Sequence, residues 1–169
     1  MRVLATLDPK RDRGNDLLLS CVSRGYAARC LRRVPRGYHH RDLLVSATGT
    51  QVAALDKSTS GNYLGGGFVI TDTTPNDSHF ITEITLAEAG TVDGSTGVEN
   101  IELYYDLDTT APYDCTGESF GGGEAQFGAT DGNGFSGPDG VSTFTDSLEA
   151  SSTQAICLYP VMDITTLAS

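Results

Sequence analysis

The chain contains 169 residues, enough for one ordinary domain of roughly 100–200 residues, and carries 11 Lys and Arg against 22 Asp and Glu, a net charge of −11. This acidity argues against a nucleic-acid binder, because neutralising phosphates requires clustered basic side chains, and no run approaches the roughly 18 apolar residues of a membrane-spanning helix. Hydrophobic residues make up 38% of the chain, which excludes full disorder and predicts a core of modest size.

The charge is divided at one point of the chain. Residues 1–57 hold all 11 Lys and Arg and five acids, a net charge of +6, whereas residues 58–169 hold 17 acids and no Lys or Arg, a net charge of −17. Such an asymmetry indicates a boundary, which we place near Ser58 because residues 58–62 also predict a loop. We therefore expect a basic leader or tail, residues 1–57, that is not an independent fold, and an acidic domain, residues 58–169.

The basic segment has three open interpretations. Residues 32–41 are dense in Arg and His and are broken by Pro and Gly, which favours a solvated tail without a role in the fold, or a start site placed too far upstream. A cleaved targeting segment is the second interpretation, because a basic stretch precedes the mildly apolar residues 43–55, although polar residues interrupt them. A basic arm that binds nucleic acid or an acidic surface is the third.

From residue 66 the apolar residues recur with a period of two, which predicts strands whose successive side chains face opposite sides of a sheet. The clearest alternation places four side chains on one face: Ile101, Leu103, Tyr105 and Leu107. The last strand is apolar on both parities, which predicts a central strand covered on both faces. Strands are expected at residues 68–70, 80–88, 101–108, 141–148 and 155–164.

Turns rich in Gly and Asp separate these strands, at residues 72–78, 90–97, 109–123 and 130–140. Short strands with such turns and no convincing helix predict an all-β fold. The acidic part, about 112 residues long, has the size of an immunoglobulin-like antiparallel β-sandwich, typically about 100 residues. The expected architecture is therefore such a sandwich, preceded by the irregular basic N-terminal segment.

The four cysteines divide between the two parts of the chain. Cys21 and Cys30 lie in the basic segment, and Cys115 and Cys157 lie in the β region. We predict a disulfide between Cys115 and Cys157, because the composition otherwise resembles that of a secreted protein. The alternative is two unpaired thiols, one of them buried as a small hydrophobic group. The pairing of Cys21 and Cys30 stays open, and no Cys or His spacing indicates zinc.

Two groups of oxygen-bearing side chains are candidate calcium ligands, because hard cations prefer oxygen. An EF-hand is excluded, since Phe135 and Ser142 occupy positions at which its loop needs ligands. The alternative is solvated turns closed by Asx hydrogen bonds. No cofactor other than this calcium is expected. The two candidate groups are Asp131, Asn133 and Asp139, and Asp106, Asp108 and Asp114.

One catalytic motif occurs, the G-x-S-x-G pattern around Ser119. A nucleophile elbow of this kind needs a strand before the Ser and a helix after it. Neither is predicted here, and no His follows Ser119 in the chain. We interpret the match as a loop rich in Gly and Ser, so no enzymatic activity is expected and a hydrolase is the weakest alternative.

Two strand patterns carry a family resemblance. Residues 98–106 (VENIELYYD) and 153–159 (TQAICLY) resemble the immunoglobulin-like or fibronectin-type modules of secreted and surface-anchored bacterial proteins, including filament and S-layer-associated ones. The resemblance carries no catalytic or ligand-binding residues over to this chain. The chain ends five residues after Ile164 without an anchor, so a fragment of a longer surface protein is also expected.

These observations predict a non-enzymatic structural or adhesive module at the outside of the cell or on its surface. Its partners would be proteins or further copies of itself, bound through exposed strand edges. The alternative is a carbohydrate-binding accessory module with a structural calcium. Tyrosines could stack on glycans in that case, although tyrosines on strands more often pack against one another. These are Tyr63, Tyr104, Tyr105, Tyr113 and Tyr159.

Overall fold

Antiparallel strands make up most of the described part of the chain in the computed structural model, which covers residues 2–7, 43–52, 54–73, 78–88 and 94–168. The protein is all-β, as the sequence predicts, with one short helix, α1 (Gly94–Gly97), among the described residues. The strands are β1 (Arg2–Leu7), β2 (Leu43–Gly49), β3 (Thr59–Tyr63), β4 (Gly66–Asp72), β5 (Ser78–Ala87), β6 (Val98–Asp108), β7 (Ala125–Gln126), β8 (Val141–Ser151) and β9 (Ala155–Ile164).

The strands form two antiparallel sheets. The smaller sheet has the order β1-β5-β8, and the larger has the order β2-β4-β9-β6-β7, with β3 also pairing with β9. Leu158 at the middle of β9 lies opposite Phe68 of β4 on one side and opposite Tyr105 of β6 on the other. The prediction that β9 is a central strand is therefore confirmed.

One hydrophobic core joins the two sheets, because both supply side chains to a single buried cluster. Strands β2, β4, β6 and β9 place alternate apolar residues in this cluster, as a period of two requires. Removing such area from water stabilises the fold by about 25 cal/mol per Å². Side chains at most 1% exposed come from the smaller sheet (Ile81, Ile84, Leu86, Phe144) and from the larger (Ile70, Leu103, Ile156, Leu158).

A second, smaller cluster covers the opposite face of β9. Cys157 and Tyr159 of β9 are buried there together with Val69 of β4 and with Cys115. Cys115 belongs to residues 109–124, the long loop between β6 and β7, so this loop lies over the outer face of the larger sheet. The two clusters explain why β9 is buried along almost its whole length.

Two strands that precede Ser58 belong to the sheets. In β1, Val3 lies opposite Leu86 of β5, and in β2, Val45 lies opposite Ile70 of β4. The irregular segment expected at residues 1–57 thus supplies one strand to each sheet. Residues 8–42, with Cys21 and Cys30, lie outside the described residues.

The alternation in β2 and β3 is too short to predict a strand from local pattern alone. In β2 only Leu43 and Val45 are buried apolar residues, at 3% and 1% exposed, and polar and small residues follow them. In β3, which lies where a loop was predicted, the apolar residue is Tyr63. Both strands form because partners distant in the chain offer them backbone hydrogen bonds, a tertiary effect that overrides weak local preference.

Candidate functional site

A disulfide anchors the long loop to the outer face of the larger sheet. Cys115 and Cys157 are bonded, with their Cα atoms 5.8 Å apart, as the sequence predicts. Both residues are buried, at 4% and 1% exposed. Because Cys157 lies within the central strand, the bond holds residues 109–124 against the sheet.

Asp108, the last residue of β6, shapes the start of this loop. Its carboxylate accepts hydrogen bonds from the backbone N–H groups of Thr110, Asp114 and Cys115, at 2.9, 3.1 and 3.0 Å. The covering loop leaves Asp108 only 6% exposed, whereas Leu107 is 42% exposed. Leu107 keeps the parity predicted for β6 but is not covered by the core at this end of the strand.

Four aromatic rings pack together against the cluster that contains the disulfide. The ring of Phe120, in the loop, has its centroid 5.2 Å from that of Tyr63, 5.4 Å from that of Tyr104 and 5.9 Å from that of Tyr159. These separations are typical of favourable aromatic pairs. Tyr159 is buried, but the other three rings are half-buried. Part of each of those three rings is therefore open to solvent.

The loop that carries Phe120 is closed by a carboxylate. Glu124 accepts hydrogen bonds from the backbone N–H groups of Gly121, at 2.5 Å, and Gly122, at 2.8 Å. Gly122 has a φ of 86°, a conformation that favours glycine. Glu124 follows Phe120 by four residues, so this turn keeps its side chain close to the aromatic rings.

Two carboxylates on β6 complete the border of the aromatic cluster. The Tyr104 hydroxyl donates a hydrogen bond of 3.1 Å to Glu102. Asp106 follows on the same face of the strand, where burial and then the charge of Glu124 raise the pKa of its carboxyl group. We call this surface the acidic aromatic patch, formed by Tyr63, Tyr104, Phe120 and Tyr159 with Glu102, Asp106, Glu118 and Glu124.

The hydroxyl of Tyr159 lies inside the patch. Tyr159 is 3% exposed, and its hydroxyl group is buried without a hydrogen-bond partner in the part of the chain that the structure describes. Burial, and then the charges of Asp106 and Glu118, raise the pKa of Tyr159. The hydroxyl therefore stays protonated at neutral pH and is able both to donate and to accept a hydrogen bond.

Of the candidate calcium ligands Asp106, Asp108 and Asp114, the last two accept hydrogen bonds from the loop itself. Asp108 accepts the three backbone hydrogen bonds described above, and Asp114 accepts one of 3.0 Å from the backbone N–H of Thr116. Hydrogen bonds from the side chain and backbone of Thr116 lower the pKa of Asp114. Asp106 points into the acidic aromatic patch instead.

The other candidate group, Asp131, Asn133 and Asp139, lies in two successive turns between β7 and β8. Asp131 accepts hydrogen bonds from the backbone N–H of Asn133, at 3.1 Å, and from the Ser142 hydroxyl, at 2.7 Å. Asp139 is exposed and has a φ of 52°. Nowhere in the described ranges do three His, Cys, Asp or Glu side chains come close enough to hold a metal ion. Calcium at either group stays a prediction.

Ser119 lies in a loop, whereas His79 lies in strand β5 of the smaller sheet. Ser119 is exposed in the loop at residues 109–124, which contains neither strand nor helix, so the geometry of a nucleophile elbow does not occur there. His79 lies at the start of β5, where its Nδ1 is 2.5 Å from Asp72 Oδ2 at the end of β4. This buried pair links the two sheets, and neither residue of it was predicted from the sequence.

A polar groove of about 650 Å³ lies at the far end of the larger sheet, where β3 and β6 begin and β9 ends. Asp163 shapes one wall, because it accepts hydrogen bonds from the backbone N–H of Gly61, at 2.7 Å, and from the Asn100 side chain, at 2.8 Å. Hydroxyl, amide and carboxylate groups dominate the lining, which suits a hydroxylated ligand. They include Ser58, Thr59, Ser60, Glu99 and Asn133.

Comparisons of the chain with protein-family models, curated proteins and solved structures find no match. Within the described ranges, no helix has the length and hydrophobicity needed to cross a bilayer. Function therefore has to be inferred from the fold and from the surfaces described above.

Proposed function

We propose that this chain is a non-enzymatic structural or adhesive module of an extracellular or cell-surface protein, an immunoglobulin-like sandwich that associates with further copies through a strand edge. Two antiparallel sheets around one core support the sandwich. A buried disulfide supports an oxidising compartment, where such bonds persist. The observation that carries the proposal is the edge of the larger sheet at β2.

Strand β2 offers an open edge. It pairs with β4 and with no other strand in the described part of the chain. Its sequence, LLVSATG, contains none of the charged residues or prolines that usually protect edges. Leu44 in this strand is 40% exposed and adds apolar area beside the unpaired backbone. A second chain can therefore add a strand here through main-chain hydrogen bonds.

The edge at β8 is protected, in contrast. Ser136 donates its backbone N–H to the Val141 carbonyl and accepts the Val141 N–H on its hydroxyl, both at 3.1 Å. Further along β8, the side-chain amide of Gln154 donates to the Glu149 carbonyl at 2.9 Å. These contacts occupy backbone groups that a second strand would need, so assembly through β2 is favoured over assembly through β8.

Sedimentation of the full chain over a wide range of concentration tests the proposal. The wild type should self-associate, and Leu44→Lys should weaken the association, because a charge on an edge strand opposes pairing. Leu107→Lys is the matched control, since Leu107 is exposed to the same degree on β6, which β4 and β9 separate from β2 in the same sheet. A monomer at all concentrations, or an equal loss in both variants, would refute assembly through β2.

A carbohydrate-binding accessory module remains the second candidate, and the polar groove favours it. Binding of glycans to an immobilised array should then depend on Glu99 and Asn133, which line the groove without forming the core. If Glu99→Gln combined with Asn133→Ala leaves glycan binding unchanged, or if no glycan binds, this candidate is excluded. The first proposal does not depend on the groove, so the two tests are independent.

A further inference from the structure

The acidic aromatic patch carries negative charge that the described part of the chain does not neutralise. Its four carboxylates belong to Glu102, Asp106, Glu118 and Glu124, and residues 58–169 contain no Lys or Arg. None of the described residues forms an ion pair with these carboxylates. Burial and Glu124 already disfavour the charge on Asp106, so the folded protein holds this group at a cost that a cation would offset.

The buried hydroxyl of Tyr159 is an independent indication of a ligand at the same place. Among the described residues it has no hydrogen-bond partner, and a buried polar group without a partner is unfavourable. The ring of Tyr159 packs against Phe120 with the centroids 5.9 Å apart, and the charges of Asp106 and Glu118 act on its hydroxyl, so this oxygen lies near the carboxylates of the patch. A ligand that donates N–H groups would satisfy this oxygen and the carboxylates together.

The aromatic rings restrict which cation fits. Tyr63, Tyr104 and Phe120 are half-buried and packed with centroids 5.2 to 5.4 Å apart around Phe120. A guanidinium group is planar, stacks on aromatic faces and donates five N–H bonds in a fixed plane. An ammonium group is a compact, strongly hydrated charge and benefits less from such a surface. Arginine is therefore the side chain that matches aromatic and carboxylate groups in one site.

The chain itself contains a complementary segment. Every Lys and Arg lies in residues 1–57, and residues 32–41, RRVPRGYHHR, hold four of the arginines. We propose that the acidic aromatic patch binds arginine side chains of residues 32–41 of a second copy of this chain, with the guanidinium stacked on Phe120 and donating to Asp106 and to the Tyr159 hydroxyl. This inference rests on the proposed self-association and names a second contact, on the sheet face and apart from the β2 edge.

Isothermal titration calorimetry, in which the synthetic peptide RRVPRGYHHR is added to the full chain, measures this contact directly. Asp106→Asn should weaken binding about tenfold, the effect of losing one charge-assisted contact, and Phe120→Leu should weaken it because the stacking surface is removed. Glu149→Gln is the matched control, because it removes one exposed charge from β8 in the other sheet. A peptide with Lys in place of each Arg should bind more weakly than the original.

We expect Asp106→Asn to stay folded, because partial burial and the charge of Glu124 disfavour the carboxylate charge that this variant removes. A loss of binding in this variant then reports the lost contact. Equal binding to wild type, Asp106→Asn and Glu149→Gln would reduce the contact to general attraction between opposite charges and overturn the proposal. Absence of peptide binding would overturn it as well. A full chain that binds the peptide at the patch but stays monomeric at every concentration would refute the second copy.

The β2 edge contact and the arginine contact at the acidic aromatic patch can be tested separately. Association through β2 should persist in Asp106→Asn and resist salt, whereas association through the patch should persist in Leu44→Lys and weaken as salt screens the charges. Sedimentation of both variants at low and high salt therefore tells which contact is absent. If Asp106→Asn sediments like the wild type at low salt, the arginine contact does not contribute to assembly.

Discussion

Removing the disulfide is the perturbation whose effect on stability follows most directly from the structure. Cys115 and Cys157 are 42 residues apart in the chain. In the chain-entropy model, a bond closing a loop of this length stabilises the folded state by about 4 kcal/mol through its restriction of the unfolded chain. Total stabilities of about 5–15 kcal/mol are usual, so this one bond supplies a large share.

The double variant Cys115→Ala with Cys157→Ala removes the bond without leaving a buried hydroxyl or thiol. Because both residues are buried, a small loss of packing adds to the loss of about 4 kcal/mol. Urea unfolding followed by circular dichroism gives the free energy of unfolding of both proteins. The slope of that free energy against urea should also rise, since an unfolded chain without the cross-link exposes more surface.

The disulfide also holds Phe120 against the tyrosines, so tyrosine fluorescence before the unfolding transition should differ between the two proteins. A loss of stability below about 1 kcal/mol would contradict the reasoning. It would mean that the loop at residues 109–124 is held by Asp108 and the aromatic contacts alone.

Three further changes have expected outcomes measurable by thermal or urea unfolding. Gly134→Ala should destabilise the protein by more than about 1 kcal/mol, because Gly134 has a φ of 72° and a Cβ there would overlap the Val98 carbonyl oxygen; an unchanged midpoint would contradict this. Asp72→Ala should cost about 1–3 kcal/mol, since it removes the partner of buried His79, and a neutral result would show that the pair is dispensable. Increasing NaCl should raise the melting temperature, because it screens the repulsion within the acidic part of the chain; a melting temperature that falls with salt would refute the role of repulsion.

The pH dependence of one variant follows from the acidic aromatic patch. The pKa of Asp106 is raised in the fold, so the folded state keeps this proton to a higher pH than the unfolded chain. The associated stability is present below the unfolded pKa and is lost as the pH rises through the folded pKa. Asp106→Asn should therefore raise the melting temperature at pH 7 and leave it unchanged well below 3.8, the ordinary pKa. Destabilisation at pH 7 would contradict the assigned environment of Asp106.

The amino-acid sequence by itself determined the strands with a strong local pattern. Alternation of apolar residues predicted β6 and β8, and apolar residues on both parities predicted that β9 is central, because a strand buried on both faces has no solvent-facing side to fill. The disulfide was predictable in part, since the β region contains only two cysteines. Such patterns are local, so they can be recognised without knowledge of the partner strands.

Only the tertiary structure decided which surfaces these strands create. Tyr63, Tyr104, Phe120 and Tyr159 come from three strands and a loop, and no local period relates them. Strand β2 is an edge because β4 is its only partner among the described strands. The physical reason is that strand pairing and loop docking join residues far apart in the chain, and their free energy depends on the partner's shape and hydrogen-bonding groups. A sequence pattern shows which face of a strand is apolar, but the fold decides what lies against it.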